Sequence, residues 1–148
     1  MKQGFTLIEI LVGIAITVVL TLVVWSGFSS FRDSSHVSET HSAVLGMLRD
    51  ARSRTLSSEK NTEYGVHFET NRIVLFLGSS YNPGSSSNEI YDFPPLARIS
   101  SINLGGALDV VFSRLAGAAS ANGTVIIEST ANNAKNKTII ILSSGSVE

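Results

Sequence analysis

From Phe5 to Phe28 the chain reads FTLIEILVGIAITVVLTLVVWSGF, apolar on every side and interrupted by one carboxylate, Glu9. At ~1.5 Å rise per residue, a helix of this length matches a hydrocarbon core of roughly 30 Å. After Phe28 the pattern turns amphipathic. Val37, His41, Val44, Leu45, Leu48, Ala51, Thr55 and Leu56 recur at i, i+3, i+4 and i+7, which is one face of a helix. Arg49, Asp50, Arg52 and Arg54 fall mostly outside that stripe. No proline stands between Phe5 and Leu56. The spacing therefore predicts one continuous helix from Phe5 to about Ser58, roughly 80 Å long at ~1.5 Å per residue. A break near Ser26–Ser30, where Gly27 lies among serines, is the alternative.

Beyond Glu59 the period changes to two. Tyr64, Val66 and Phe68 alternate with Gly65, His67 and Glu69, and a Thr70-Asn71 turn leads into the apolar run Arg72–Leu77, read as a buried strand. Gly78–Asn88 is a Ser/Gly/Asn loop with the turn signal Pro83-Gly84. Short strands are expected at Glu89–Phe93, Arg98–Leu104 and Asp109–Ser113, the first two divided by Pro94-Pro95. After the small polar loop Gly117–Gly123, strands follow at Thr124–Ser129 and Thr138–Leu142 around an Asn132–Lys137 turn, and Ser143–Glu148 pairs as a final edge. The expected fold class is α+β: a long N-terminal helix packed on a C-terminal antiparallel β-sandwich head.

Composition narrows the picture only in part. A chain of 148 residues holds one globular domain plus an appendage. The net charge of −1 gives no global pull toward nucleic acid or anionic lipid. Cysteine is absent, which excludes disulfides, thiolate metal sites and cysteine nucleophiles. The head must therefore hold by sheet packing, and cysteine usage does not locate the protein.

For the apolar run, Glu9 weighs between a signal peptide, a passive anchor and a buried helix. Lys2 is a thin basic region, the run is long for a signal peptide, and Ser26-Gly27 is a poor cleavage site. A carboxylate in an apolar span costs a few kcal/mol in lipid and marks a function with a partner. The segment Gly4-Phe5-Thr6-Leu7-Ile8-Glu9-Ile10-Leu11-Val12 resembles the prepilin signature of type IV pilins and type II secretion pseudopilins. The resemblance implies a leader, residues 1–4, cut between Gly4 and Phe5 by prepilin peptidase, with N-methylation of Phe5. It implies that Glu9 neutralises a neighbouring subunit's N-terminal amine, so that Phe5 and Glu9 form the assembly site. An ammonium and a carboxylate among apolar helices each cost several kcal/mol unless paired, which agrees with that role. Many major pilins carry a proline late in the span, and none is present here.

The helix end Leu48-Arg49-Asp50-Ala51-Arg52-Ser53, the strands of 64–77, and the closing Val111–Ser113, Gly117, Gly123–Val125, Thr138–Ile141 and Gly145 are similar to H-type minor pseudopilins and fimbrial T minor pilins. The implied organisation is a leader at 1–4, a transmembrane and assembly helix at 5–28, an amphipathic half at 29–58 and a β-rich head at 59–148. The implied function is a structural, minor subunit of a type IV pilus or type II secretion pseudopilus. Its implied partners are other pilin or pseudopilin subunits, prepilin peptidase, an inner-membrane assembly platform, and the bilayer before assembly. The implied location is the inner membrane, single-pass with the head outside the cytoplasm, then a periplasmic or extracellular filament.

No catalytic constellation or cofactor motif stands in the chain, so an enzyme is not expected. His36 and His41 are five apart and do not share a helix face as a metal pair would, and His67 is expected to face solvent. Asn122-Gly123-Thr124 and Asn136-Lys137-Thr138 match the glycosylation sequon, a short pattern that carries little weight. Arg49, Arg52, Arg54 and Lys60 form a small basic cluster, the weak candidates for nucleic acid under an alternative reading of the chain as a pilus-borne DNA- or surface-binding receptor subunit. Asp50 and Glu59 interleave with them, and few cations share one surface, which argues against DNA as a partner.

Overall fold

The computed structural model describes residues 5–148, apart from the side chains of residues 25–30. Helix α1 (Leu7–Leu56) runs for 50 residues and passes through Ser26–Ser30 without a break. The chain divides into two compact units, Met1–Arg32 and Asp33–Glu148. In the first, every described side chain from Phe5 to Val24 is exposed. Leu7–Val24 has a mean hydropathy of 2.8 and is long and apolar enough to cross a membrane.

The second unit begins inside α1. Val37, Thr40, Val44, Leu48, Ala51 and Thr55 are buried in one stripe at helical spacing. Two expectations for that stripe are corrected. Thr40 rather than His41 takes the buried position, with His41 half-buried beside it, and Leu56 is 42% exposed because the helix face has turned past the sheets at its last residue. The helix stops at Leu56, and a one-turn 3-10 helix follows at Glu59–Asn61.

Among the described residues, seven strands form two antiparallel sheets. They are β1 (Tyr64–Phe68), β2 (Arg72–Leu77), β3 (Glu89–Asp92), β4 (Ala97–Asn103), β5 (Asp109–Phe112), β6 (Gly123–Ser129) and β7 (Asn136–Ile141). One sheet has the order β3-β2-β1-β5 and the other β4-β6-β7. Boundaries move by one or two residues from the sequence pattern. The largest shift is at Asn136 and Lys137, expected in a turn but paired with Glu128 and Ile127, so the β6–β7 turn is tighter than composition suggests. The Ser143–Glu148 segment folds back onto β7: Ile140 donates to the Glu148 carbonyl at 2.9 Å and Glu148 donates to the Ile140 carbonyl at 3.0 Å. That covers an edge which would otherwise be open to pairing.

The core lies where α1 and both sheets meet. Val44, Leu48 and Ala51 from α1 pack with Val66, Phe68, Ile73, Leu75, Val110 and Phe112 of the four-stranded sheet and with Ile99, Val125, Ile127, Ile139 and Ile141 of the three-stranded one. Strand β2 is buried on both faces, as its unbroken apolar run predicts. Its outer face is covered by the loop that follows it. Tyr81 stacks on His67 with centroids 4.0 Å apart and packs on Phe76 at 5.6 Å. The expectation that His67 faces solvent is thereby corrected. It does sit on the outer face, but Tyr81 covers it, Asp109 bonds its Nδ1, and its side chain is only 15% exposed. Phe76 lies across Gly65, where a Cβ would come within 2.5 Å of its ring, so only glycine admits that contact.

One hydroxyl joins helix and sheet. Thr55 is fully buried, donates to the Ala51 carbonyl at 2.8 Å and accepts the Tyr64 amide of β1 at 3.0 Å. Thr55→Val keeps the shape and removes the acceptor, leaving a buried N–H unsatisfied. It is expected to lower stability by about 1–3 kcal/mol, measured by thermal or denaturant unfolding of the full chain in detergent followed at the β-sheet signal.

Candidate functional site

The N-terminal end of α1 is built around a local motif. Phe5 is 85% exposed and precedes the helix. Thr6 donates to Glu9 Oε2 twice, from its amide at 2.9 Å and from its hydroxyl at 2.8 Å. The Glu9 amide donates back to Thr6 Oγ1 at 3.4 Å. This is a capping box, in which a threonine and a glutamate three residues apart satisfy helix N-terminal amides that no carbonyl can reach. Sequence reasoning passed over Thr6, although the T-x-x-E spacing of residues 6–9 is a legible signal for it. The consequence is chemical. Within a single chain the Glu9 carboxylate already has partners, so it does not depend on a neighbouring chain for every hydrogen bond.

A carboxylate held at the mouth of an exposed apolar helix matches one known pattern. Residues 1–25 match the prokaryotic N-terminal methylation motif. This is the motif of type IV pilins and pseudopilins, a structural rather than enzymatic family, and it supports a pilin-like or pseudopilin subunit. The motif implies processing by prepilin peptidase and assembly with other pilin subunits, and with the apolar helix it fits anchoring in the inner membrane. Its reach stops at residue 25, so it assigns the N-terminal segment and leaves the head unassigned. No curated protein and no solved structure matches the chain. Gly4, the expected cleavage residue, and the rest of the leader at 1–4 lie outside the described residues.

The basic candidates are separated by the fold. Arg54 forms an ion pair with Asp50 at 2.7 Å and a two-pronged contact with Glu89, and these carboxylates, Glu89 first, raise its pKa further. Arg49 donates to the Val147 carbonyl at 3.3 Å. Arg52 donates to the carbonyls of Gly117 at 3.1 Å and Ser144 at 3.4 Å. Lys60 stands exposed in the turn after α1. The structure thus brings Arg49 and Arg52 to the C-terminal hairpin and directs Arg54 to the edge of β3.

The three histidines lie apart in function. His36 is 3.7 Å from Glu39, and His67 belongs to the stack described above. Among the described residues, no three His, Cys, Asp or Glu side chains converge as a metal site requires. His41 faces Thr138 of β7. Burial lowers its pKa first, the cations Lys137 and Arg49 lower it further, and a bond with the Thr138 backbone opposes them. A histidine whose folded pKa lies below its unfolded value of 6.5 takes up its proton preferentially when unfolded. The head is therefore expected to lose stability as pH falls below 6.5 toward the depressed folded value. His41→Gln should flatten that part of the stability–pH curve, measured by thermal unfolding at stepped pH.

Proposed function

We propose that this chain is a structural subunit, of the minor class, of a type IV pilus or a type II secretion pseudopilus. The observation that carries the reading is the methylation motif at residues 1–25, set on an apolar helix with Glu9 as the carboxylate of its first turns. In this reading prepilin peptidase cuts between Gly4 and Phe5 and methylates the Phe5 amine. The cut spares the apolar helix, so the anchor stays on the mature chain. The helix rests in the inner membrane with the head outside the cytoplasm, and an assembly platform draws it into a filament where helices cover one another. Glu9 meets the amine of Phe5 on a neighbouring subunit, exchanging lipid for an ion pair that sets axial register.

The minor assignment rests on the missing proline and on the likeness of the head to H-type minor pseudopilins and fimbrial T minor pilins. The receptor alternative for DNA has less support, because Arg54 is already paired with two carboxylates that would repel phosphate.

The capping box sets how the test must be built. Glu9→Ala removes both the charge and the cap, whereas Glu9→Gln removes the charge and keeps an acceptor for Thr6. Both variants are expected to be processed, with Phe5 at the new N-terminus, and both to fall to below about a tenth of the wild-type level in sheared filaments. N-terminal sequencing and mass spectrometry of the filament fraction read both steps. Wild-type incorporation of Glu9→Gln would remove the ion-pairing role.

A further inference from the structure

A cleft runs between the last turns of α1 and the C-terminal hairpin. It has a volume of about 490 Å³ and is walled by Arg49, Arg52, Ser53 and Leu56 on one side and by Gly145–Val147 on the other. Its two arginines differ from the ion-paired arginines of the head. Arg54, Arg72 and Arg98 each pair with a carboxylate. Among the described residues, Arg49 and Arg52 bond to main-chain carbonyls alone, one and two of them respectively. A guanidinium has five N–H donors. These bonds therefore fix the orientation of two positive forks while leaving donors free and the charge uncompensated.

The walls are shaped around those forks. At Gly145 (φ +79°) a Cβ would stand 1.9 Å from the Gly117 carbonyl oxygen and 3.0 Å from Arg52 Nε. At Gly117 (φ +61°) it would meet Leu56 at 3.0 Å and Arg52 Nε at 3.2 Å. Both backbones close onto the guanidinium because neither residue has a side chain. Two residues before Gly117, Leu115 holds a left-handed backbone at φ +69° and is 88% exposed. Bulky residues rarely adopt that conformation, and such strain concentrates at binding sites.

We propose that this cleft docks an acidic peptide segment of a protein partner. A carboxylate enters between the forks of Arg49 and Arg52, and an apolar neighbour in the same segment covers Leu56. Planar forks accept a carboxylate through paired N–H donors, and the apolar rim adds contact area that a bare anion lacks. A nucleic acid fits less well. Its affinity grows with the number of phosphates neutralised along a surface, and here two forks face one recess while Asp50 and Glu89 occupy the next cation. The inference does not depend on filament assembly.

The test titrates the full chain in detergent micelles with a fluorescein-labelled synthetic peptide of alternating Glu and Leu. The same peptide with Gln for Glu, and a single-stranded oligonucleotide of equal charge, are run beside it. The Glu peptide is expected to bind saturably and the Gln peptide about tenfold more weakly or worse. Ser53 is exposed, and its side chain makes no hydrogen bond among the described residues, so Ser53→Glu places a carboxylate on the wall without removing a contact. It should weaken the Glu peptide by about tenfold, and clearly more than Ser53→Gln, which adds comparable bulk without charge. Arg49→Gln, which gives up one 3.3 Å bond, is the second variant and should weaken binding likewise. Equal binding of both peptides, indifference to Ser53→Glu and Arg49→Gln, or binding of the oligonucleotide alone would overturn the proposal.

Discussion

Helix α1 is apolar on every side from Leu7 to Val24 and apolar along one stripe from Val37 to Ala51. The two patterns ask for different surroundings. A stripe is covered by a folded head, and here two sheets cover it from one side of the helix. A helix that is apolar all round has no polar face to turn to water, so lipid or other helices must surround it. The chain is short, and its sheets are already filled by the stripe. The first half is exposed over its described residues. The need for a second, external cover is therefore written into how the apolar residues are distributed.

Glu9 looks like a defect in that distribution until its bonds are traced. A lone carboxylate at this depth would be costly in lipid. Thr6 lowers that cost by giving Glu9 an amide and a hydroxyl, and Glu9 in turn caps amides that the helix cannot satisfy. The arrangement makes Glu9 tolerable in a single chain without neutralising it. Hydrogen bonds from Thr6 leave the negative charge in place, so a nearby cation can still pair with it. The capping box therefore leaves room for the proposed intersubunit ion pair rather than competing with it.

How much of this could be read from residues alone follows the physics of each feature. The α1 and strand periods were legible because burial imposes them directly: Val44, Leu48 and Ala51 on the helix, and Val66 and Phe68 on β1, sit where the pattern puts them. Thr40 escaped because it and its neighbour His41 both fall close to the stripe by spacing, and the smaller Thr40 is the one that is buried. His67 escaped because alternation says which face a residue occupies, not whether a distant loop folds over that face, and Tyr81 arrives from 14 residues on in the sequence. At the N-terminus the methylation motif was legible as a pattern over residues 1–25, while Thr6 needed the hydrogen bonds to be noticed. The head's cleft was illegible, since it is made by the carbonyls of Gly117, Ser144 and Val147, and carbonyls are present in every residue.

That last point bears on where the head's specificity resides. The net charge of −1 hides a set of local compensations: Arg54 with Asp50 and Glu89, Arg72 with Glu69, Arg98 with Glu128. Charges paired this way present little field to a partner and contribute modestly to stability at the surface. Arg49 and Arg52 depart from the rule, and their carbonyl partners orient them without cancelling them. A positive charge left open beside two glycines of left-handed backbone combines two features that folding alone does not favour. Each is tolerable singly in a stable sandwich. Their meeting at one end of the head, on residues from α1, the Ser113–Gly117 turn and the C-terminal hairpin, is what a recognition surface built from distant parts of the chain would require.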